Sequence, residues 1–195
     1  MKKWVATVLA LVMALSVTTM AWAEGNWTGS GTEADPYVIT TEAGLNKLAT
    51  DVNNGTVYCD TYFKLGASIT VTDWTPIGQK GSDNKFAGTF DGNGQTVTIN
   101  GINSGLGSAF DGYAGFFGAV KGATIKNLTV AGTISGSDVA GVVARLDGAS
   151  KVINCINKAN VTGTSKAAGI TVKIDGTNVV IDDCTNCLLY TSDAA

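Results

Sequence analysis

Three segments in the second half of the chain align on one another. They are AGFFGAVKGATIKNLTVAGTISG from Ala114, AGVVARLDGASKVINCINKANVTG from Ala140 and AGITVKIDGTNVVIDDCTN from Ala168. Gly115, Gly141 and Gly169 open the units, 26 and 28 residues apart. A second glycine follows in each, at Gly122, Gly148 and Gly176, and then a β-rich run. A period of this size signals stacked repeats. The units lack helical periodicity and consist of short apolar strands punctuated by glycine and Asn/Asp. One unit cannot bury its apolar face alone. Stacked as coils of a β-solenoid, successive strands pair in parallel and the apolar residues form an internal column.

The alignment predicts which residues stack. Leu128, Cys155 and Cys184 fall at equivalent positions, each after Asn127, Asn154 or Asp183. Neighbouring strands lie about 4.8 Å apart, close enough for a Cys155–Cys184 disulfide. Inward side chains stacked on parallel strands rarely reach disulfide geometry, however. Two free buried thiols are therefore expected.

The first half reads as a cap. In TEAGLNKLATDVNNG (41–55), Leu45, Leu48, Ala49 and Val52 recur at helical spacing, with Thr41 as N-cap and Gly55 as the left-handed stop. A short amphipathic helix is expected between Tyr37-Val38-Ile39 and the strand-like runs YFKLGASITV (62–71) and GTFDGNGQTVTIN (88–100). Such a helix would cover the open end of a solenoid. Aromatic residues concentrate here too, and after Phe117 only Tyr190 remains. Trp27, Tyr37, Tyr58, Tyr62, Phe63, Trp74, Phe86, Phe90 and Phe110 are read as cap core. An exposed Trp74 or Tyr113 would instead offer a sugar-stacking platform.

Both termini carry their own signals. Residues 1–23 combine Lys2 and Lys3, an apolar run and Ala21-Trp22-Ala23, which reads as a secretory signal peptide cut after Ala23. Residues 187–195, CLLYTSDAA, resemble a translated sequencing adaptor, so native sequence is expected to end near Asn186 in a gene that continues. The expected organisation is a signal peptide (1–23), a cap with the first coils (24–113), repeated coils (114–186) and the adaptor-like tail (187–195). With a net charge of −3 and Arg145 as the sole arginine, nucleic acid and anionic membrane surfaces are not expected partners. The chain has no histidine, which excludes histidine acid–base chemistry and His-ligated zinc. Four cysteines do not make a disulfide scaffold.

The runs GSGTEADPYVITTEAGLNKLATDVNNG, YFKLGASITVTDWTPIG, FAGTFDGNGQTVTINGI and GFFGAVKGATIKNLTVAG resemble secreted bacterial proteins with GLUG-type repeats. Those proteins are similar to filamentous-haemagglutinin-like adhesins and lie near the right-handed parallel β-helix folds. The likeness covers residues 29–186. Its Gly-Leu-apolar-Gly motif is met only by Gly115-Phe116-Phe117-Gly118; the later units, opening at Gly141 and Gly169, lack the closing glycine. The resemblance implies an all-β, right-handed parallel β-helix in an extracellular or surface-attached module. It carries no catalytic residues across.

The loop Asp91-Gly92-Asn93-Gly94 decides between chemistry and scaffold. It lacks the spacing and distal Glu of a calcium loop and the Lys of a phosphate loop. Its glycines and Asn permit positive φ, as a tight reversal between strands requires, so it reads as a structural turn. The expected function is a non-catalytic secreted or cell-surface β-solenoid module, adhesin-like or binding an extracellular glycan or a host or cell-surface protein. No catalytic, metal or cofactor residue is assigned. The alternative is a polysaccharide lyase or hydrolase on the same fold. That would need clustered carboxylates on one face, drawn from Asp91, Asp111, Asp138, Asp147, Asp175, Asp182 and Asp183, with Arg145. Asp147-Gly148 and Asp175-Gly176 repeat at one coil position, which reads as a turn ladder. Weak Ca²⁺ binding by acidic turns is a third reading.

Overall fold

A computed structural model describes residues 27–79, 83–103 and 112–187. The signal-peptide reading, the adaptor-like tail beyond Cys187, Phe110 and Asp111 lie outside them. In chain order the elements are β1 (Tyr37–Ile39), α1 (Glu42–Asn53), β2 (Tyr62–Leu65), β3 (Ile69–Trp74), β4 (Thr89–Asp91), β5 (Thr96–Ile102), β6 (Tyr113–Ala114) and β7 (Phe117–Lys121). They continue with β8 (Thr124–Lys126), β9 (Thr129–Ala140), β10 (Val143–Asp147), β11 (Lys151–Ile153), β12 (Ile156–Ala168), β13 (Lys173–Ile174), β14 (Val180–Asp182) and β15 (Thr185–Asn186).

The strands stack into three parallel sheets, the β-solenoid of about five turns expected from the repeat. Sheet I runs β1-β2-β4-β8-β11-β14, sheet II β3-β5-β9-β12-β15 and sheet III β7-β10-β13, while β6 pairs with β9. Every strand-to-strand pairing is parallel and joins one coil to the next. Register partners follow the sequence alignment. Val143 pairs with Phe117, Arg145 with Lys173 and Ile156 with both Thr129 and Thr185. Leu128, Cys155 and Cys184 therefore do stack. Both cysteines are free thiols.

Inward residues build one apolar column per sheet. In sheet I it runs Phe63, Phe90, Ile125, Val152 and Ile181, because side chains alternate across a strand and only every second residue faces the core. The first coils are filled by aromatic rings. Phe63, Phe86, Phe90, Phe116 and Phe117 are fully buried and meet mostly edge-on or tilted, with centroids 4.9–5.8 Å apart. Trp74 is fully buried and donates its indole N–H to the Phe116 carbonyl, 3.0 Å.

Two expectations change. The run YFKLGASITV breaks at Gly66–Ser68 into β2 and β3, which belong to different sheets. The loop Asp91–Gln95 is a corner rather than a reversal: β4 and β5 do not pair with each other but with β8 and β9 in the next coil. Asn93 (φ 52°) and Gly94 (φ 73°) take the left-handed conformation there, and Asn127, Asn154 and Asp183 do the same at the corners above. Left-handed residues swing the chain from sheet I to sheet II at these corners, and among residues with a side chain the short polar ones tolerate that region best. The corner amides are also linked. Asn154 Nδ2 donates to Asn127 Oδ1 (2.9 Å), and Asn127 Nδ2 to Asp91 Oδ1 (3.0 Å).

The repeat-opening glycines have a tertiary cause. A Cβ at Gly141 would collide with the side chain of Asn157, and one at Gly169 with that of Asn186. These inward amides are joined, Asn157 Nδ2 donating to Asn186 Oδ1 at 2.9 Å, and Asn157 is fully buried. A buried amide must be hydrogen-bonded, and the space it needs is left by glycine.

The helix closes the first coil. The Thr41 hydroxyl accepts from Gly44 N–H as N-cap, and Leu45, Leu48, Ala49 and Val52 are buried. α1 stands where sheet II would need another strand. The Glu42 carboxylate accepts the Thr72 N–H on the outer edge of β3, 2.8 Å. At the other end of the helix, Asn53 donates to Pro76 O and accepts from Gly78 N–H. Across the edge of β1, Val38 N–H donates to Thr28 O.

Candidate functional site

The acidic residues singled out in the sequence separate into distinct places. Asp91 sits at the corner between sheets I and II, 3.5 Å from Lys126 Nζ. Asp138 lies in β9 and pairs with Lys166 at 3.0 Å. Asp182 and Asp183 are exposed on the last coil. Among the described residues no group of three or more His, Cys, Asp or Glu side chains is placed to hold a metal ion.

Asp147, Asp175 and Arg145 do come together, at the end of sheet III. The register stacks Asp147 one coil before Asp175, as the repeated Asp-Gly pairs predict. Arg145 bridges them, with Nε 2.9 Å from Asp147 Oδ1 and Nη2 3.0 Å from Asp175 Oδ2. Lys85 Nζ holds Asp147 Oδ2 at 2.9 Å and Lys173 Nζ holds Asp175 Oδ1 at 2.9 Å. All four carboxylate oxygens thus face a cation. Asp147 and Lys85 are largely buried, with side chains 11% exposed each. Their pairing offsets the cost of withdrawing charge from water. The arrangement clamps neighbouring coils, with both carboxylates engaged on each oxygen. Lys173 is held above its usual range, chiefly by its hydrogen bond to Asp175.

The aromatic residues proposed for sugar stacking are not available. Trp74 is fully buried and Tyr113 is 5% exposed. Tyr58 packs on Trp27 and Phe63 and donates its hydroxyl to Asp51 at 2.7 Å. Burial and that bond push its phenol well above the usual range. Tyr62, read from sequence as cap core, instead faces outward from sheet I and is half-buried. Its neighbours on β2, Phe63 and Leu65, alternate inward.

Tyr62 borders a groove of about 270 Å³ on the outer face of sheet I, which sequence reasoning missed. Its floor is the outward side of β2, β4 and β8; its wall is the segment just before β1. Two outward columns line it in register: Tyr62 and Thr89, then Lys64, Asp91 and Lys126. The wall is fixed by hydrogen bonds from the Ser30 and Gly31 N–H groups to the Asp35 carbonyl, and the Tyr62 N–H ties it to the sheet through the Gly31 carbonyl. Alternation of outward residues along the strands is visible in the sequence. Their stacking across coils 27 and 35 residues apart is not.

Halomucin of Haloquadratum walsbyi is 29% identical to the chain over 169 residues, covering 83% of this chain and 2% of halomucin. A Gly-rich membrane protein of Evansella cellulosilytica, so named, is 31% identical over 113 residues, covering 53% of this chain and 12% of that protein. The chain thus spans a small fraction of the length of these relatives. No protein-family model and no solved structure matches it. No helix among the described residues is long and apolar enough to cross a membrane.

Proposed function

We propose that the protein is a non-catalytic secreted or cell-surface β-solenoid module, adhesin-like in character, at the start of a longer stack of coils. The asymmetry of its ends carries this reading. The first coil is plugged by α1, whereas no strand among the described residues pairs with the outer edges of β13, β14 and β15, and Ile174, Val180 and Ile181 are exposed by 40–49%. Ile174 and Ile181 continue inward columns that are fully buried one coil earlier, at Leu146 and Val152. A further coil would bury both and pair the edges. The two relatives, each far longer than this chain, support the reading, as does the second one's name as a membrane protein. So does the resemblance of residues 29–186 to GLUG-repeat and filamentous-haemagglutinin-like proteins. An extracellular glycan or a host or cell-surface protein is the partner class that suits such a module.

The scattered carboxylates and the cation-saturated Asp147–Arg145–Asp175 group argue against the lyase or hydrolase alternative. The test is incubation of the purified protein with acidic and neutral polysaccharides, measuring new reducing ends and unsaturated products. Release of either overturns the scaffold reading. Sequencing the gene beyond codon 186 supplies the second arm: continued coils support a stalk, and a catalytic domain directly after this segment removes it.

A further inference from the structure

We propose that the groove on the outer face of sheet I binds a segment of acidic polysaccharide, with a uronate carboxylate seated at Lys64. The proposal deepens the module reading above and rests on it, because a bound glycan must stay intact. Charge is the first argument. Asp91, the neighbour of Lys64 in the next coil, is already engaged by Lys126 (3.5 Å) and by Asn127 Nδ2 (3.0 Å). The half-buried Lys64 side chain has no ion-pair or hydrogen-bond partner among the described residues. An ammonium that no protein carboxylate engages is open to an anionic group of a ligand. Opposite it, the exposed Glu33 carboxylate on the wall is also without a partner among the described residues and can accept from sugar hydroxyls.

Shape is the second argument. The Tyr62 ring packs on no other aromatic ring among the described residues, although Trp27, Tyr37 and Tyr58 are all locked into the aromatic core. An aromatic face beside a few placed polar groups is the usual make-up of a small-ligand site. The Thr89 and Thr124 positions continue the Tyr62 column, and coils repeat every ~4.8 Å. A linear polymer laid along the solenoid axis meets a polar side chain at each step. The wall is hydrogen-bonded in place, so little ordering cost falls on binding. A neutral glycan would leave Lys64 unpaired.

Affinity electrophoresis through gels containing polygalacturonate or dextran tests this, with dissociation constants from calorimetry on polygalacturonate fragments. Lys64→Ala and Tyr62→Ala are compared with Lys158→Ala, which alters an exposed lysine on β12 of sheet II, off the path of the groove. Melting curves confirm that each variant folds. The expected result is retardation by polygalacturonate and not by dextran. Each groove variant should weaken binding about tenfold, for Lys64→Ala the scale of one charge-assisted hydrogen bond, and Lys158→Ala should leave it unchanged. Equal retardation by dextran overturns the acidic class. Unchanged binding in both groove variants, or equal loss in Lys158→Ala, overturns the site. Absence of binding without cleavage overturns the groove and leaves the module reading standing. Cleavage of polygalacturonate overturns the module reading.

Discussion

The two ends of the solenoid solve the same problem in opposite ways. At the first coil every sheet edge meets something: Thr28 on β1, Glu42 on β3 and Asn53 beside the Pro76–Gly78 segment. At the last coil no strand among the described residues pairs with the three parallel edges, and the inward column residues Ile174 and Ile181 are exposed although their register is identical to that of buried residues one coil earlier. Burial in a stacked fold thus depends on the neighbour, not on the residue's own direction. Stability should follow, falling from the aromatic coils toward the open edge.

Four experiments can break that gradient. The largest effect is expected for Trp74→Ala, which empties the best-filled coil and leaves the Phe116 carbonyl without its donor. It should cost about 3–5 kcal/mol, measured by denaturant unfolding. Leu48→Ala, which loosens the cap, should cost about 2–4 kcal/mol; a loss below about 1 kcal/mol would mean that α1 is not what closes the first coil. Next comes the Arg145 clamp. Arg145→Met leaves Asp147 and Asp175 facing each other, and a loss of about 2 kcal/mol is expected after allowing for partial exposure. If the melting temperature does not move, the ion pairs do not couple the coils. The smallest effect belongs to Ile181→Ala, about 0.5–1 kcal/mol, although Val152→Ala one coil earlier should cost about 2 kcal/mol. Equal losses at the two positions would refute the gradient.

The stacked thiols sharpen the same comparison. Burial, with a smaller contribution from neighbouring Cys184, pushes Cys155 up from 9.0 to about 12. The unfolded thiol therefore ionises at lower pH than the folded one. Cys155 adds no penalty below pH 9 and favours unfolding increasingly as pH rises toward 12. Melting temperature measured across that window should fall, and Cys155→Ala should flatten the fall. At neutral pH a thiol reagent should label the partly exposed Cys184 and reach the buried Cys155 only after denaturation. Equal labelling rates in the native protein would show that the last interior layer is open as well.

Much of the fold was legible because a solenoid writes its register into its repeat. The glycine spacing of 26 and 28 residues matches the pairing of Val143 with Phe117 and of Arg145 with Lys173. Thr41 and the Leu45–Val52 pattern located α1, since capping and helical spacing are local chemistry. The break at Gly66–Ser68 was hidden, because β2 and β3 are both strand-like and this corner, unlike those at Asn127, Asn154 and Asp183, uses no left-handed residue. The role of Tyr62 was hidden for a related reason: composition marks an aromatic residue, whereas its face depends on which strand phase the coil adopts.

The residues themselves determined that this chain stacks parallel strands in coils, where those coils begin and which side chains share a level. They also ruled out histidine chemistry. Three-dimensional packing alone decided that the Asp91–Gln95 loop turns a corner, that Gly141 and Gly169 make room for inward amides, and that Tyr62 and Lys64 share a groove with Glu33. The physical reason is range: strand phase and helix capping act within a few residues, whereas room for a side chain and the pairing of a charge depend on groups a full coil away.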